Sequence, residues 1–115
     1  MFKKLLFIFL LSISFSSFAN MDGNELYQYG FQSSNPNPTP TQYSQVGFYM
    51  GYISGVLEND SGRNGYFCIP LDVKKMDVFA VVFKYLKDNP KLRNQEASLL
   101  IITAVKSTWP CQQQK

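Results

Sequence analysis

The sequence predicts an all-α fold, a small disulfide-stapled bundle of about four helices. Three observations lead there. Apolar residues recur at three- and four-residue intervals in successive segments, no useful length of chain alternates apolar and polar residues as a half-buried strand does, and two cysteines, Cys68 and Cys111, bracket the second half.

The N-terminus sets the context for those cysteines. Lys3 and Lys4 form a basic start, Leu5 to Leu11 an unbroken apolar run, and Ser17-Phe18-Ala19 a small-x-small site. Residues 1–19 therefore read as a secretory signal cleaved after Ala19. Serines interrupt the segment after Leu11, leaving it short of the roughly 20 apolar residues a spanning helix needs. The expected product is an exported domain over residues 20–115, in the periplasm, with no membrane attachment after cleavage. There two thiols are free to oxidise. A bridge between cysteines 43 positions apart is worth about 4 kcal/mol in the chain-entropy account.

Charge excludes some partners. The chain has 11 basic and 8 acidic residues, and two of the lysines leave with the signal. The remainder is nearly neutral and has no basic run, so nucleic acid and anionic membrane are not expected partners.

Four helices follow in order. Asp22-Gly23-Asn24-Glu25 reads as a helix start with Asp22 as N-cap, and Leu26, Tyr27 and Phe31 as apolar residues. Residues 33–42 hold three alternating prolines and read as an extended, exposed linker within the domain. From Tyr43 to Leu57, Val46, Met50, Ile53 and Leu57 recur at helical spacing beside a stripe of Gly47, Gly51 and Gly55. Interior helix glycines cost roughly 1 kcal/mol each, so the stripe predicts close approach of another backbone.

Glu58 to Tyr66 reads as a polar, turn-rich loop. Asp72 is the expected N-cap of a third helix over Val73 to Asp88, with Val78, Phe79, Val82, Phe83, Tyr85 and Leu86 covering most of its surface. Asn89-Pro90 ends it. The last helix begins near Asn94, buries Ala97, Leu100, Ile101, Ala104 and Val105, and stops at Trp109-Pro110-Cys111.

The chemistry is that of a binding protein. Histidine is absent, which removes Ser-His and Cys-His nucleophile pairs and histidine metal sites. Paired cysteines leave no thiolate, Asp60, Asp72 and Asp77 fall at a loop, a cap and a solvated face, and Gly62 to Gly65 lacks the spacing and lysine of a phosphate loop. No catalytic residue, metal or cofactor is expected. Aromatic residues make up 16% of the chain; they fill a small core, or Tyr43, Tyr49, Tyr52 and Tyr66 include interface anchors. The Glu58 to Tyr66 loop leaves the same choice open, between a solvated connection and a loop that enters a partner's cleft.

Several blocks in order resemble a known family: Gly51-Tyr52-Ile53-Ser54-Gly55, Phe67-Cys68-Ile69-Pro70, Val81-Val82-Phe83-Lys84-Tyr85-Leu86 with Asn89-Pro90, and Trp109-Pro110-Cys111. Together with Gly23-Asn24-Glu25-Leu26 they are similar to the Rap/Tai immunity proteins of type VI secretion amidases, over most of residues 22–111. The resemblance implies a periplasmic, commonly homodimeric protein that inhibits a cognate peptidoglycan amidase effector by occluding its cleft, without chemistry of its own. The partner-binding segment expected for this role is Glu58, Asn59, Asp60, Ser61, Gly62, Arg63, Asn64, Gly65 and Tyr66. One departure stands out: many members carry a second cysteine pair, whose places are held here by Gly30 and Tyr49, implying a less rigidly fixed first helix. The competing reading is a periplasmic acid-stress chaperone of the HdeA type. It fits the size and the single bridge, but the acidic residues are few and histidine is lacking.

Overall fold

In the computed structural model, residues 20–60 and 67–111 are described. Among them lie four α-helices: α1 (Gly23–Phe31), α2 (Pro40–Asp60), α3 (Lys75–Asp88) and α4 (Ala97–Thr108), with short 3-10 turns at Gln32–Ser34 and Pro90–Leu92. The all-α, disulfide-stapled fold is as the sequence predicts.

Helix α1 starts where its cap residue dictates. The Asp22 carboxylate accepts from the Glu25 N–H at 2.9 Å, filling one of the unpaired donors of the first turn. The same end is tied to the start of α4 by backbone bonds: Gly23 N to Gln95 O at 3.0 Å, Asn24 N to Arg93 O at 2.8 Å, and Ala97 N to Met21 O at 2.9 Å. A Cβ on Gly23 would stand 2.9 Å from the Arg93 backbone and run into Leu100. Only glycine permits that approach.

Helix α2 is longer than expected at both ends. It begins at Pro40, inside the 33–42 segment expected to be an extended linker. Thr39 and Gln42 cap each other, with Gln42 N donating to Thr39 Oγ1 at 3.3 Å and Thr39 N donating to Gln42 Oε1 at 2.8 Å. Pro40 occupies the first helical position, where its missing N–H costs nothing. At the other end the helix continues through Asp60, so Glu58, Asn59 and Asp60 lie in its last turn rather than in a loop. No proline or glycine falls between Leu57 and Asp60 to stop the helix at its expected end.

The glycine stripe faces the other way from expectation. Gly47, Gly51 and Gly55 are exposed, and a Cβ added at any of them meets nothing within 4 Å. The packed face of α2 is instead Tyr49, Ile53 and Leu57. The close approach falls on α1: a Cβ on Gly30 would lie 2.8 Å from the Tyr49 ring and 3.1 Å from Phe83. The places of the absent cysteine pair are thus in direct contact. Tyr49 is 3% exposed, and its hydroxyl donates to Phe79 O at 2.6 Å, so one side chain joins α1, α2 and α3. Helix α1 is fixed by packing where a bridge is lacking.

Helix α3 begins at Lys75 with Lys74 as N-cap, later than Asp72 suggested. Asp72 is used in a turn closed by Val73 N to Pro70 O at 3.1 Å. Asp77 supplies the capping carboxylate, accepting from Lys74 N at 3.2 Å. Val78, Val82 and Leu86 are buried, and the outer face carries the Lys84–Asp88 pair at 2.7 Å, worth roughly 0.3–0.5 kcal/mol at such exposure. Helix α4 buries all five residues expected of it. It starts at Ala97 rather than near Asn94 because the preceding carbonyls, Arg93 and Gln95, are spent on α1. Leu26, Ile53, Val82 and Ile101, one from each helix, have no solvent exposure and form the centre of the core.

Two substitutions test this packing. Gly30→Ala should destabilise by about 1–3 kcal/mol through overpacking, whereas Gly51→Ala should stabilise by up to about 1 kcal/mol; urea denaturation of both reads the difference, and equal losses would contradict the assignment of the two faces. Tyr49→Phe should cost about 1 kcal/mol at neutral pH. Burial raises the Tyr49 pKa above its ordinary 10.0, so the neutral form is held in the fold. Its contribution is complete below about pH 10 and is lost as pH rises past the unfolded value. Tyr49→Phe should therefore lose less stability than wild type between pH 9 and 11 (roughly the ordinary tyrosine range), as measured by urea midpoints.

Candidate functional site

The expected partner-binding segment leaves the end of α2 and returns at Phe67. Glu58 and Asn59 are exposed on the last turn of α2, and Asp60 closes that helix. Ser61, Gly62, Arg63, Asn64, Gly65 and Tyr66 lie outside the described residues.

The return point is firmly held. Phe67 is buried, Cys68 is bonded to Cys111 with Cα atoms 4.9 Å apart, and Cys68 N donates to Trp109 O at 2.8 Å. These contacts tie the connection between α2 and α3 to the C-terminal end of α4. Pro70 to Val73 then form the turn that presents Leu71, the most exposed large apolar side chain among the described residues, with Met76 also exposed at the start of α3.

Beside this turn a mostly apolar cavity of about 180 Å³ lies between α2 and α3, lined by Ser54, Leu57, Ile69, Val73, Val78 and Phe79, with Lys75 also on its wall. It is smaller than the pockets that bury small-molecule ligands. A wider, open groove of about 550 Å³ runs along α4 past Leu99, Ile102, Thr103, Lys106, Ser107 and Pro110. Among the described residues no cluster of three or more histidine, cysteine or acidic side chains is placed to hold a metal.

The tyrosines divide between core and surface. Tyr49 is a core residue and not an interface anchor, while Tyr43 is exposed and Tyr66 falls outside the described residues. Tyr52 belongs to an aromatic row on the α1–α2 surface: Tyr29 meets Phe48 edge-on at 5.6 Å, and Phe48 stacks on Tyr52 at 6.1 Å. The Glu25 carboxylate, accepting from the Tyr29 hydroxyl at 3.1 Å, raises the Tyr29 pKa. Burial and the Glu96 carboxylate raise that of Tyr52. Sequence reasoning missed this row. The four-residue spacing of Phe48 and Tyr52 on a helix was its only signal, and the contribution of Tyr29 depends on how α1 crosses α2.

A helical domain with a stapled connection, a half-buried aromatic row whose Phe48 is exposed and apolar depressions on its surface has features of a protein that binds other proteins. The model of the Rap1a immunity proteins matches residues 22–111, and the chain belongs to that family. It is an immunity protein against a secreted effector, which it binds as its cognate partner. No curated protein matches the chain.

Replacing Cys68 or Cys111 with serine should cost roughly 2–5 kcal/mol. Thermal melts with and without reductant test this: wild type should fall to the level of the variants when reduced, and insensitivity to reductant would show that the bridge adds nothing.

Proposed function

We propose that the effector is a peptidoglycan amidase delivered by type VI secretion, and that this protein meets it in the periplasm as a homodimer and occludes its cleft with the Glu58 to Tyr66 segment. The family match over residues 22–111 carries this reading, together with the ordered Gly-Tyr-Ile, Cys-x-Pro and Pro-Cys blocks. The signal-like residues 1–19 and the Cys68–Cys111 bond support an oxidising compartment. No catalysis is assigned to the chain; inhibition comes from excluding substrate. The family match favours this reading over the acid-stress chaperone.

The choice of segment rests on preorganisation. A connection anchored by the last turn of α2 at one end and by Phe67 and Cys68 at the other has less freedom to lose on binding than an untied loop. In sequence the segment carries mixed charge from Asp60 and Arg63 and has Tyr66 two residues before Cys68, which would give it polar contacts and an aromatic anchor.

A variant with Asp60, Arg63 and Tyr66 all changed to alanine should melt like wild type yet fail to protect cells expressing a periplasmic amidase effector. Loss of one hot spot worth about 2 kcal/mol weakens binding roughly thirtyfold. Full protection by the triple variant would move the inhibitory surface elsewhere.

A further inference from the structure

Asp22-Gly23 is the chain's one Asp-Gly pair, and the structure shows why both residues stand there. The aspartate caps α1, its carboxylate accepting from Glu25 N at 2.9 Å. The glycine lets the chain cross the residues before α4, since a Cβ at its position would lie 2.9 Å from both Arg93 Cα and the Arg93 carbonyl oxygen. A cap suited to aspartate and a crossing that admits only glycine thus fall at adjacent positions.

That pair is also a chemically labile point of a polypeptide backbone. With no side chain on the following residue to obstruct it, the glycine nitrogen can attack the aspartate Cγ. A C–N bond then closes a five-membered succinimide, and the glycine N–H proton and the carboxyl hydroxyl leave as water. A second water opens the ring. Attack at the former side-chain carbonyl returns aspartate, whereas attack at the former main-chain carbonyl leaves isoaspartate, whose main chain runs through Cβ and Cγ.

In the fold three features oppose ring closure. The Asp22 backbone is extended, with ψ at 172°, which turns Gly23 N out of the near-planar arrangement with Cα and Cβ that the ring requires. Gly23 N donates to Gln95 O at 3.0 Å, and the Asp22 carboxylate is directed at Glu25 N instead. The surrounding bonds hold this arrangement: Asn24 N to Arg93 O at 2.8 Å, Ala97 N to Met21 O at 2.9 Å, and an antiparallel bridge between Asp22 and Glu96. Rotating Asp22 into the reactive geometry means opening the junction between α1 and α4.

We propose that Asp22-Gly23 is a latent self-modification site, shielded by the α1–α4 junction and released to form isoaspartate when that junction opens. The added main-chain carbon shifts the chain out of register with Glu96 and removes the carboxylate from its capping position, so a modified chain keeps α1 untied. Isoaspartate is therefore a one-way record of local opening. Water is the only co-reactant, and the proposal does not depend on the effector or on the Glu58 to Tyr66 segment.

The test is to incubate the oxidised protein near neutral pH and follow isoaspartate at residue 22 by peptide mapping with fragmentation that distinguishes the two backbones. The reference is the same chain, reduced and unfolded in guanidinium chloride. The folded protein should isomerise at least about tenfold more slowly, equivalent to an opening cost of about 1.4 kcal/mol; equal rates overturn the proposal. Ala97→Pro opens the junction selectively, because it deletes the bond to Met21 O at the first position of α4, where proline is tolerated. Glu96 already has the extended conformation that precedes proline, with φ −57° and ψ 133°. This variant should raise the rate several-fold and expose the Gly23 amide to hydrogen exchange. Faster exchange at Gly23 without faster isomerisation overturns the proposal. Should Ala97→Pro not fold, wild type in denaturant below its unfolding transition decides: the isomerisation rate should rise in step with Gly23 exchange, and a flat rate contradicts the shielding.

Discussion

The bond between Cys68 and Cys111 fixes the chain entering α3 to the chain leaving α4. Helices α1, α2, α3 and α4 meet through Leu26, Ile53, Val82 and Ile101, and among the described residues of the connection between α2 and α3, Phe67 is buried against them. The bridge and the Cys68 N to Trp109 O bond hold its returning strand of chain against the end of α4. A link over 43 residues restrains the unfolded chain by about 4 kcal/mol, a large share of the net stability of a domain this small. The same link fixes the chain at Phe67 and Cys68, where it returns to the bundle.

At the other end of the molecule the restraint is non-covalent. Tyr49 fills the space above Gly30 and reaches the Phe79 carbonyl, while the start of α1 is bonded through its backbone to the residues before α4. A ring packed into a glycine socket and a buried hydroxyl bond supply orientation without oxidation. The expectation that losing a cysteine pair loosens α1 overlooked what a large side chain opposite a glycine can do.

The elements most legible in the sequence were those specified locally. Asp22 capping α1, Asn89-Pro90 ending α3 and the buried stripe of α4 follow from caps, proline and periodicity, and the structure has all three. The start of α2 was equally local, because Thr39-Pro40-Thr41-Gln42 is a capping box with proline at the first helical position. The proline count obscured it. Asp72 was a plausible cap displaced by a turn that its neighbours Pro70 and Val73 close. The glycine stripe failed for a different reason: periodicity places residues on one face but does not say what that face meets. Likewise the aromatic row of Tyr29, Phe48 and Tyr52 and the stack of Arg93 on Tyr27 join distant parts of the chain, and no spacing rule brings them together. Of the candidate site, only its frame is described: Glu58 and Asn59 on α2, and Phe67 and Cys68 beyond.

The central claim is that the stapled connection, rather than the aromatic row or the α4 groove, meets the effector. Hydrogen exchange of the oxidised protein with and without its cognate amidase tests it most directly. The account predicts that amides from Glu58 to Tyr66 gain protection in the complex while those of α4 facing the open groove exchange as before. Protection confined to α4, or to the α2 surface around Phe48 and Tyr52, with the Glu58 to Tyr66 amides unchanged, would contradict it.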